Sequence, residues 1–164
     1  MFGSLKKLFG GEEKGRKAIT SPVNGRAIPM SQVADPTFSQ EILGKGTAVV
    51  PADGRVVAPA DGVVTMVFET KHALSLKTDS GAELIIHIGL DTVQLKGQYF
   101  KAYVEEGKKV KRGDLLMEFE LDKIKEEGYD VTTPVIVCNT PEFPGMECIS
   151  GMDAVAGETE IIKL

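Results

Sequence analysis

Residues 72–91, HALSLKTDSGAELIIHIGLD, decide the fold of this chain and contain its only two histidines, His72 and His87. Apolar and β-branched side chains are frequent on both sides of residues 79–81, Asp-Ser-Gly, which form a turn cluster. Apolar runs separated by such a cluster are typical of two antiparallel strands joined by a tight turn. The stretch therefore predicts a β-hairpin.

The length of the turn decides where the two imidazole rings lie. A two-residue or four-residue turn sets Leu74 opposite His87 and places both histidines on one face of the sheet as diagonal neighbours. Their backbones are then roughly 7 to 8 Å apart, within reach of long side chains. A three-residue turn with Gly81 in the left-handed region places the histidines on opposite faces. We predict the shared face.

Two neighbouring imidazole rings suit phosphoryl transfer. A neutral imidazole is a competent nucleophile near pH 7, because its ordinary pKa is about 6.5. A second ring can donate a hydrogen bond to the oxygens of an incoming anionic group as charge spreads over them. Asp91 and Thr70 flank the pair and are expected to orient a ring or tune its basicity. The alternative, two ordinary strand histidines, stays open at this point.

Composition indicates the class of protein and its compartment. A chain of 164 residues fits one domain, and 42% hydrophobic with 26% charged residues predicts a soluble globular protein. The net charge of -5 argues against nucleic acid and favours a basic or neutral partner. The two cysteines, Cys138 and Cys148, form no CxxC motif and no signal peptide is visible. We therefore expect free thiols in a reducing cytoplasm.

Short apolar runs separated by turn signals make up most of the chain from residue 18 onward. The pattern Pro-x-(Asn/Asp)-Gly, which favours a tight reversal, occurs at residues 22–25, 51–54 and 59–62. This density predicts an all-β fold, an antiparallel β-sandwich or barrel-sandwich hybrid with short helical turns. We predict strands near residues 18–21, 46–50, 55–58, 62–69, 72–78, 82–89, 99–104, 115–120, 132–137, 153–156 and 160–163.

Two short helical segments interrupt these strands. Asp35 is an N-cap before Pro36 at the first helical position, and Gly44 ends this first segment. Residues 122–127 predict a single solvated helical turn. The apolar side chains of the first segment, which pack inward or form an exposed patch, are Phe38, Ile42 and Leu43.

The first residues differ in character from the rest of the chain. Residues 1–10, MFGSLKKLFG, have apolar side chains at helix-like spacing with two lysines between them. A segment this short is unstable alone in water, so it is either a frayed tail or a segment that orders on a membrane surface. We predict an amphipathic, flexible tail at residues 1–17 and a folded domain at residues 18–164.

From about residue 19 to its end, the chain resembles the glucose-type enzyme IIA of the bacterial phosphoenolpyruvate-dependent sugar phosphotransferase system. The most specific parts are FETKHA at 68–73, DSGAELIIHIGLDTVQLKG at 79–97 and VEEGKKVKRGD at 104–114. Two histidines at this spacing inside such matched flanks are a specific signal. The resemblance implies an antiparallel β-sandwich and a phosphoryl carrier that works through a transient phosphohistidine, with no cofactor.

The resemblance also implies partners and roles. Phosphate comes from the phosphohistidine of the small carrier HPr and passes to a cysteine of a IIB domain, which phosphorylates the incoming sugar. His87 matches the phosphoacceptor, through Nε2, and His72 matches the histidine that stabilises the phosphoryl oxygens. Thr70 and Gly89 match the groups that hold the two rings, through a hydroxyl and a backbone carbonyl.

An apolar rim with acidic edges is implied around the histidines. A convex, partly basic HPr surface fits such a rim. We also hypothesise that the carboxylates repel a phosphoryl group on His87 and so keep it transferable. The apolar positions are Phe38, Ile42, Leu43, Phe68, Ile86 and Val93, and the acidic ones are Asp35 and Asp91.

Two further contacts follow from the resemblance. The chain needs no metal of its own, but in regulatory complexes a partner's carboxylate can complete a zinc site with His72 and His87. The segment at residues 1–10 is similar to the membrane-tethering tail of some free-standing members. We therefore expect a cytoplasmic protein, and we add peripheral membrane contact and regulatory partners as further expectations from the resemblance.

Two other classes compete with this interpretation. Lipoyl and biotinyl domains share turn-rich stretches like residues 110–123, with Lys123 as the modified residue, but they are about half this length. Residues 124–127 also continue as helix instead of a returning strand. A zinc hydrolase usually needs three protein ligands, and the chain has no His-x-His or His-Glu-x-x-His motif.

Overall fold

The structure, a computed structural model, describes residues 17–164 and confirms the predicted all-β fold. Within this range fourteen strands form, and the pairings between them are antiparallel. The strands are β1 (Ala18–Thr20), β2 (Gly25–Pro29), β3 (Lys45–Pro51), β4 (Arg55–Val57), β5 (Gly62–Val67), β6 (Ala73–Thr78), β7 (Glu83–His87), β8 (Phe100–Ala102), β9 (Lys109–Val110), β10 (Leu115–Phe119), β11 (Thr133–Val137), β12 (Glu147–Cys148), β13 (Asp153–Ala154) and β14 (Glu160–Lys163).

Short helical turns connect some of these strands. Within residues 17–164, the two α-helices are α1 (Pro36–Ser39) and α2 (Leu121–Glu126). Single 3-10 turns lie at Met30–Gln32, Thr92–Leu95 and Thr140–Glu142.

The strands form three sheets around one main core. The large sheet has the order β13-β2-β3-β11-β7-β6-β5-β9, and the two small sheets have the orders β1-β14-β12 and β4-β10-β8. Apolar side chains from all three sheets pack together, which gives the two-layered arrangement of a sandwich. Members of this core with at most 1% exposure include Ile19, Leu74, Leu84, Ile86, Leu116 and Ile161.

A second, smaller apolar cluster lies on the other face of the large sheet. The segment after β2, which includes Met30–Gln32 and α1, packs there against side chains of β3 and β11. The cluster is important for the site because Phe38 of α1 belongs to it. Its buried members are Met30, Val33, Phe38, Ala48, Leu90 and Ile136.

The β6–β7 hairpin forms as predicted, but the predicted register is wrong. Ala73 lies opposite His87, and Leu74 lies opposite Ile86. The turn has three residues, because the Thr78 N–H donates to the Ala82 carbonyl at 2.9 Å, and Gly81 is left-handed with φ 93°. A three-residue turn of this kind shifts the pairing by one residue relative to a two-residue turn.

This register assigns each side chain of the hairpin to a face. Leu74 and Ile86 point into the main core and are fully buried. His87 is on the other face, which carries α1. Ile86 was expected in the exposed rim, and this expectation is wrong because its position in the pairing directs it inward.

Both predicted helical segments are present, but their lengths and burial differ from the prediction. The Asp35 carboxylate caps α1 by accepting the Thr37 N–H at 2.9 Å, as expected for an N-cap. The helix ends at Ser39, before the predicted stop at Gly44. In α2, Ile124 is fully buried, so that helix is not the wholly solvated turn that its charged residues predicted.

Three strands were not predicted from the sequence. Two of them, β9 and β12, are only two residues long and carry no alternating pattern. The third, β2, is interrupted by polar and turn-forming residues, with the sequence GRAIP. Pairing with neighbouring strands stabilises these segments, and that information is absent from their local composition.

Two further predictions concern compartment and tail. Both cysteines are free, with Cys138 half-buried and Cys148 exposed. Within residues 17–164, none of the helices has the length and apolar content to cross a bilayer. The amphipathic segment at residues 1–10 lies outside the described residues.

Candidate active site

The two histidine rings are in contact at the end of the β6–β7 hairpin. Their centroids are 4.9 Å apart and their planes are inclined by 80°, an edge-to-face arrangement. Each ring also meets a phenylalanine: Phe38 lies 4.9 Å from His87, and Phe68 lies 5.4 Å from His72. The predicted proximity of the rings is therefore present.

The reason for this proximity differs from the predicted one. His72 precedes the first residue of β6 and follows Lys71, which is left-handed with φ 57°. The chain leaves the sheet at this point, so strict alternation of faces no longer fixes the direction of the His72 side chain. The His72 carbonyl still accepts the Ile88 N–H at 2.7 Å, which ties the two histidine-bearing segments together.

The hydrogen bond of His87 determines its tautomer. His87 Nδ1 lies 2.7 Å from the Gly89 carbonyl oxygen. A carbonyl oxygen only accepts, so Nδ1 carries the hydrogen and Nε2 of the neutral ring keeps its lone pair. Burial lowers the pKa of His87, although the Gly89 carbonyl and the charges of Asp35 and Asp91 act in the opposite direction. The ring is thus neutral at pH 7 with a nucleophilic Nε2.

His72 is neutral for a related reason. Its side chain is 5% exposed, and burial, together with the nearby His87, lowers its pKa to about 4. Thr70 Oγ1 lies 2.5 Å from His72 Nδ1. When the hydroxyl donates to Nδ1, the ring hydrogen is on Nε2, which makes His72 a neutral donor. Such a donor is suited to phosphoryl oxygens beside a nucleophile that has a free lone pair.

Gly89 occupies a position that other residues fit poorly. Its φ is 78°, in the left-handed region. A Cβ on this residue would lie 2.6 Å from Thr92 Cγ2 and 2.9 Å from the Asp130 carbonyl oxygen. Both the backbone conformation and the surrounding space therefore require glycine here, and the carbonyl that meets His87 belongs to this constrained residue.

Part of the predicted apolar rim is exposed. Ile42 is 67% exposed, Val93 46% and Leu43 41%, while Phe68 is half-buried. Phe38 is only 4% exposed. It packs against His87, so little of its ring is exposed, and its role as a contact residue stays a prediction. Its helix turns it toward the smaller cluster on the sheet.

Met66 is an exposed apolar residue that sequence reasoning missed. It is 49% exposed and lies opposite Ser75 on β6. Strict alternation would place it on the same face as the buried Val64, but the pairing shifts between Val64 and Met66, as in a β-bulge. The shift turns Met66 to the face that carries His87, and no local sequence signal reveals it.

An open, acidic cleft lies beside His87. Asp35, half-buried, and Asp91, exposed, line it together with Asp130, which was not predicted. The Asp130 carboxylate accepts the Thr132 N–H at 2.8 Å, and its carbonyl accepts the Leu90 N–H at 2.9 Å. Asp130 thus supports the loop that carries Gly89 and Asp91.

The structure also bears on the competing classes. Lys123 lies inside α2 with its Nζ 3.4 Å from the Glu120 carboxylate, so it is not at the tip of a hairpin as a modified lysine would be. Within residues 17–164, no three His, Cys, Asp or Glu side chains are grouped so as to hold a metal ion. His72 and His87 could supply two ligands to a metal ion, and this part of the chain supplies no third.

An antiparallel sandwich with two contacting neutral imidazoles, of which His87 is half-buried and His72 buried, is the arrangement expected of a phosphoryl-carrier domain. Comparisons with known proteins agree with this class. The family described as "phosphoenolpyruvate-dependent sugar phosphotransferase system, EIIA 1" matches residues 17–143. The chain belongs to this family.

Relatives with known names support the assignment over most of the chain. A "PTS system glucose-specific EIIA component" of Halalkalibacterium halodurans is 43% identical over 168 residues, covering 98% of this chain and 97% of that protein. A "PTS system beta-glucoside-specific EIIBCA component" of Bacillus subtilis is 51% identical over 131 residues, which are 80% of this chain and 22% of that protein.

A solved structure resembles the fold closely. The glucose permease IIA from Mycoplasma capricolum has a TM-score of 0.80 and 31% sequence identity, covering 88% of this chain and 94% of the other. The chain is therefore a phosphoryl carrier and a phosphotransferase component in sugar uptake. The swinging-arm alternative with a modified Lys123 finds no support.

Proposed function

We propose that His87 is the phosphoacceptor of this carrier and that Nε2 is the reacting atom. The hydrogen bond from Nδ1 to the Gly89 carbonyl, 2.7 Å long, carries this proposal. It leaves the lone pair of the neutral ring on Nε2. The lowered pKa keeps that lone pair free of a proton at pH 7, and the half-buried ring is still accessible to a donor protein.

In the proposed reaction, Nε2 of His87 attacks the phosphorus of a phosphohistidine on the donor. A new P–N bond forms at His87 as the P–N bond of the donor breaks, and the donor imidazole leaves with that electron pair. The His87 ring then carries positive charge while Nδ1–H still donates to Gly89. Asp35 and Asp91 favour this cationic ring, since their charges act to raise the pKa of His87.

His72 is proposed to stabilise the transferred group. Its neutral ring donates from Nε2–H to a phosphoryl oxygen when the Thr70 hydroxyl occupies Nδ1. A pKa of about 4 excludes a large cationic fraction at pH 7, so His72 acts as a neutral donor. Thr70 and Gly89 are therefore the groups that orient the two rings in opposite tautomers.

The donor is proposed to be HPr, and the acceptor a cysteine of a IIB domain. A rim of exposed Ile42, Leu43 and Val93, with Asp35 and Asp91 at its edge, suits a partly basic protein surface. Relatives whose names combine EIIB, EIIC and EIIA in one chain support a IIB acceptor. We add Met66 to the proposed contact surface because it is exposed on the face that carries His87.

The sugar is proposed to be selected by the IIB and IIC partners. Relatives with glucose-specific and β-glucoside-specific names match this chain at 43% and 51% identity.

We also infer that residues 18–164 form the carrier domain in the cytoplasm, and that residues 1–10 form a tail with peripheral membrane contact. Binding of the full chain and of a chain lacking residues 1–10 to anionic vesicles tests the contact; equal binding would contradict it.

Phosphate mapping tests the proposed roles. The parent chain, His87→Ala and His72→Ala are incubated with phosphoenolpyruvate, enzyme I and HPr, and the acid-labile phosphate is located by peptide mass. We expect no labelling of His87→Ala. His72→Ala should still be labelled, but its transfer to IIB should fall by roughly 100-fold.

Lys123→Ala is a useful control in this experiment. Lys123 lies in α2 and would be the modified residue of a lipoyl or biotinyl carrier. The variant should be labelled and transfer phosphate like the parent. Labelling of a correctly folded His87→Ala variant, judged by its circular dichroism spectrum, would overturn the proposal.

A further inference from the structure

We propose that Thr92 is a positioning residue that sets the tautomer of His87 through the backbone of Ile88 and Gly89. Thr92 begins the 3-10 turn Thr92–Leu95 and is fully buried. Its hydroxyl bonds a backbone carbonyl, that of Ile88, and not an imidazole ring. Its two side-chain groups act on consecutive residues of the loop that follows His87.

The hydroxyl of Thr92 holds the Ile88 carbonyl. Thr92 Oγ1 donates to this oxygen at 2.5 Å. The N–H of Ile88 donates to the His72 carbonyl at 2.7 Å, and a regular antiparallel ladder would return a bond from the His72 N–H to the Ile88 carbonyl. Thr92 offers its hydroxyl to that same oxygen, at the point where His72 leaves the strand. It thereby fixes the orientation of the Ile88–Gly89 peptide plane.

The methyl group of Thr92 holds the next residue. Thr92 Cγ2 lies 2.6 Å from the position that a Cβ on Gly89 would occupy, so it packs directly against the Gly89 Cα. On the far side, the Leu90 N–H donates to the Asp130 carbonyl at 2.9 Å and fixes the Gly89–Leu90 plane. Gly89, with φ 78°, is therefore held between two fixed peptide planes.

The consequence is a carbonyl that points at His87 Nδ1. The Gly89 oxygen belongs to the second of these planes and accepts the Nδ1 hydrogen at 2.7 Å. Without the Thr92 hydroxyl, the Ile88–Gly89 plane loses its anchor, and glycine has no side chain to restrict its rotation. A displaced Gly89 carbonyl would let the His87 hydrogen move to Nε2, the atom whose lone pair must attack.

The test compares histidine tautomers in the unphosphorylated full chain. Because the sequence has only two histidines, nitrogen NMR of a chain with 15N-labelled histidine reports the Nδ1–H and Nε2–H forms of each ring. Thr92→Val replaces the hydroxyl with a methyl group of similar size. We expect a larger Nε2–H share at His87 and about fivefold slower acceptance of phosphate, the effect of one net hydrogen bond.

Thr47→Val is the matched control. Thr47 is also fully buried, and its hydroxyl also donates to a backbone carbonyl, that of Ile161, at 2.8 Å. Its substitution removes an equivalent bond away from the histidines and should lower the melting temperature without changing the His87 tautomer. An unchanged tautomer and an unchanged phosphorylation rate in Thr92→Val would overturn the inference.

A second pair of variants covers a failure of Thr92→Val to fold. Thr92→Ser keeps the hydroxyl and Thr92→Ala removes it, and neither adds volume to the core. We expect the parent tautomer in Thr92→Ser and a shifted one in Thr92→Ala; identical tautomers would overturn the inference. The inference rests on the proposed role of His87 as phosphoacceptor, but the tautomer measurement does not depend on that role. Labelling of His87→Ala would overturn the phosphoacceptor role and leave the tautomer result intact.

Discussion

On its inner face, the β6–β7 hairpin places Leu74, Leu76, Leu84 and Ile86 in the main core, each at most 2% exposed. On its outer face and at its open end, it presents His87 and the rings that contact it. The inner face is defined by hydrophobic side chains of suitable size, which many sequences supply. The outer site depends on individual hydrogen bonds from Thr70, Gly89 and the loop that follows. Stability and chemistry are therefore carried by opposite faces of the same two strands.

The largest expected effect on stability comes from the inner face. Ile86→Ala removes a fully buried side chain from the core and should lower the free energy of unfolding by about 3 kcal/mol. The folded fraction should still accept phosphate, because Ile86 points away from the rings. Thermal unfolding and phosphorylation of the same sample measure both effects.

Ile42→Ala is the matched deletion on the exposed rim. Ile42 is 67% exposed, so its loss should change stability by less than about 0.5 kcal/mol while weakening the proposed interaction with HPr. If the folded fraction of Ile86→Ala no longer accepted phosphate, the division of stability and chemistry between the two faces would be contradicted.

The next effect concerns the two ends of the hairpin. Gly89→Ala introduces a Cβ at a left-handed residue and within 2.9 Å of the Asp130 carbonyl. We expect a stability loss of about 2 kcal/mol from strain. Because the Gly89 carbonyl orients His87, acceptance of phosphate should slow by roughly 100-fold.

Gly81→Ala is the corresponding change at the turn. Gly81 is also left-handed, with φ 93°, but nothing lies within 4 Å of its added Cβ. It should cost about 1 kcal/mol of stability and leave the phosphorylation rate unchanged. Equal phosphorylation rates in the two variants would show that the Gly89 carbonyl has no special role.

A further effect on stability is expected from pH. The pKa of His72 in the folded chain is about 4, below its ordinary value of 6.5. Between pH 4 and pH 6.5, the unfolded chain binds more protons at His72 than the folded chain does. The stability that the neutral His72 contributes is therefore fully present above pH 6.5 and is lost as the pH falls toward 4. The free energy of unfolding falls by at most about 1.4 kcal/mol per pH unit for this one proton. His72→Gln should flatten this part of the curve of melting temperature against pH. The burial-lowered pKa of His87 acts in the same direction and leaves a remaining slope.

The smallest effect is expected from the acidic edge. Asp91 is exposed and favours a cationic His87 ring, which makes the phosphorylated imidazole a better leaving group. Asp91→Asn should lengthen the lifetime of the phosphohistidine about two- to fivefold, since exposed charges interact by about 1 kcal/mol or less. Decay of the labelled protein measures this lifetime.

Asp79→Asn supplies the comparison for this prediction. Asp79 lies at the hairpin turn, about 20 Å from the open end by strand length, and salt screens its charge over that distance. It should decay like the parent chain. Equal lifetimes for Asp91→Asn and the parent would remove the proposed role of the carboxylate.

The inner face was predictable from the sequence, and much of the outer site was not. Alternating apolar residues and turn signals identify the strands and the all-β class, because burial of apolar area is a property of local pattern. The register of the hairpin was predicted wrongly, since sequences with Ser80-Gly81 permit turns of two or three residues. The placement of Ile86 in the rim came from the resemblance instead, and it is wrong because Ile86 precedes His87 in β7 and so faces the opposite side of the sheet.

The histidine pair was predictable only through its flanking motifs. Strand alternation in the observed register would separate the rings, and they meet because His72 lies just before β6 begins, next to the left-handed Lys71. The bulge that exposes Met66 and the inward turn of Phe38 depend on contacts with other strands. The Thr92 hydroxyl acts on Ile88 through tertiary geometry, and threonine in a loop carries no sequence signal of such a role.

The position of the phosphoryl group is the most direct test of the account. The full chain with 15N-labelled histidine is phosphorylated by phosphoenolpyruvate, enzyme I and HPr, and the coupling between phosphorus and nitrogen is measured by NMR. We predict phosphorus on Nε2 of His87, with hydrogen retained on Nδ1 beside the Gly89 carbonyl. Phosphorus on His72, or on Nδ1 of His87, would contradict it.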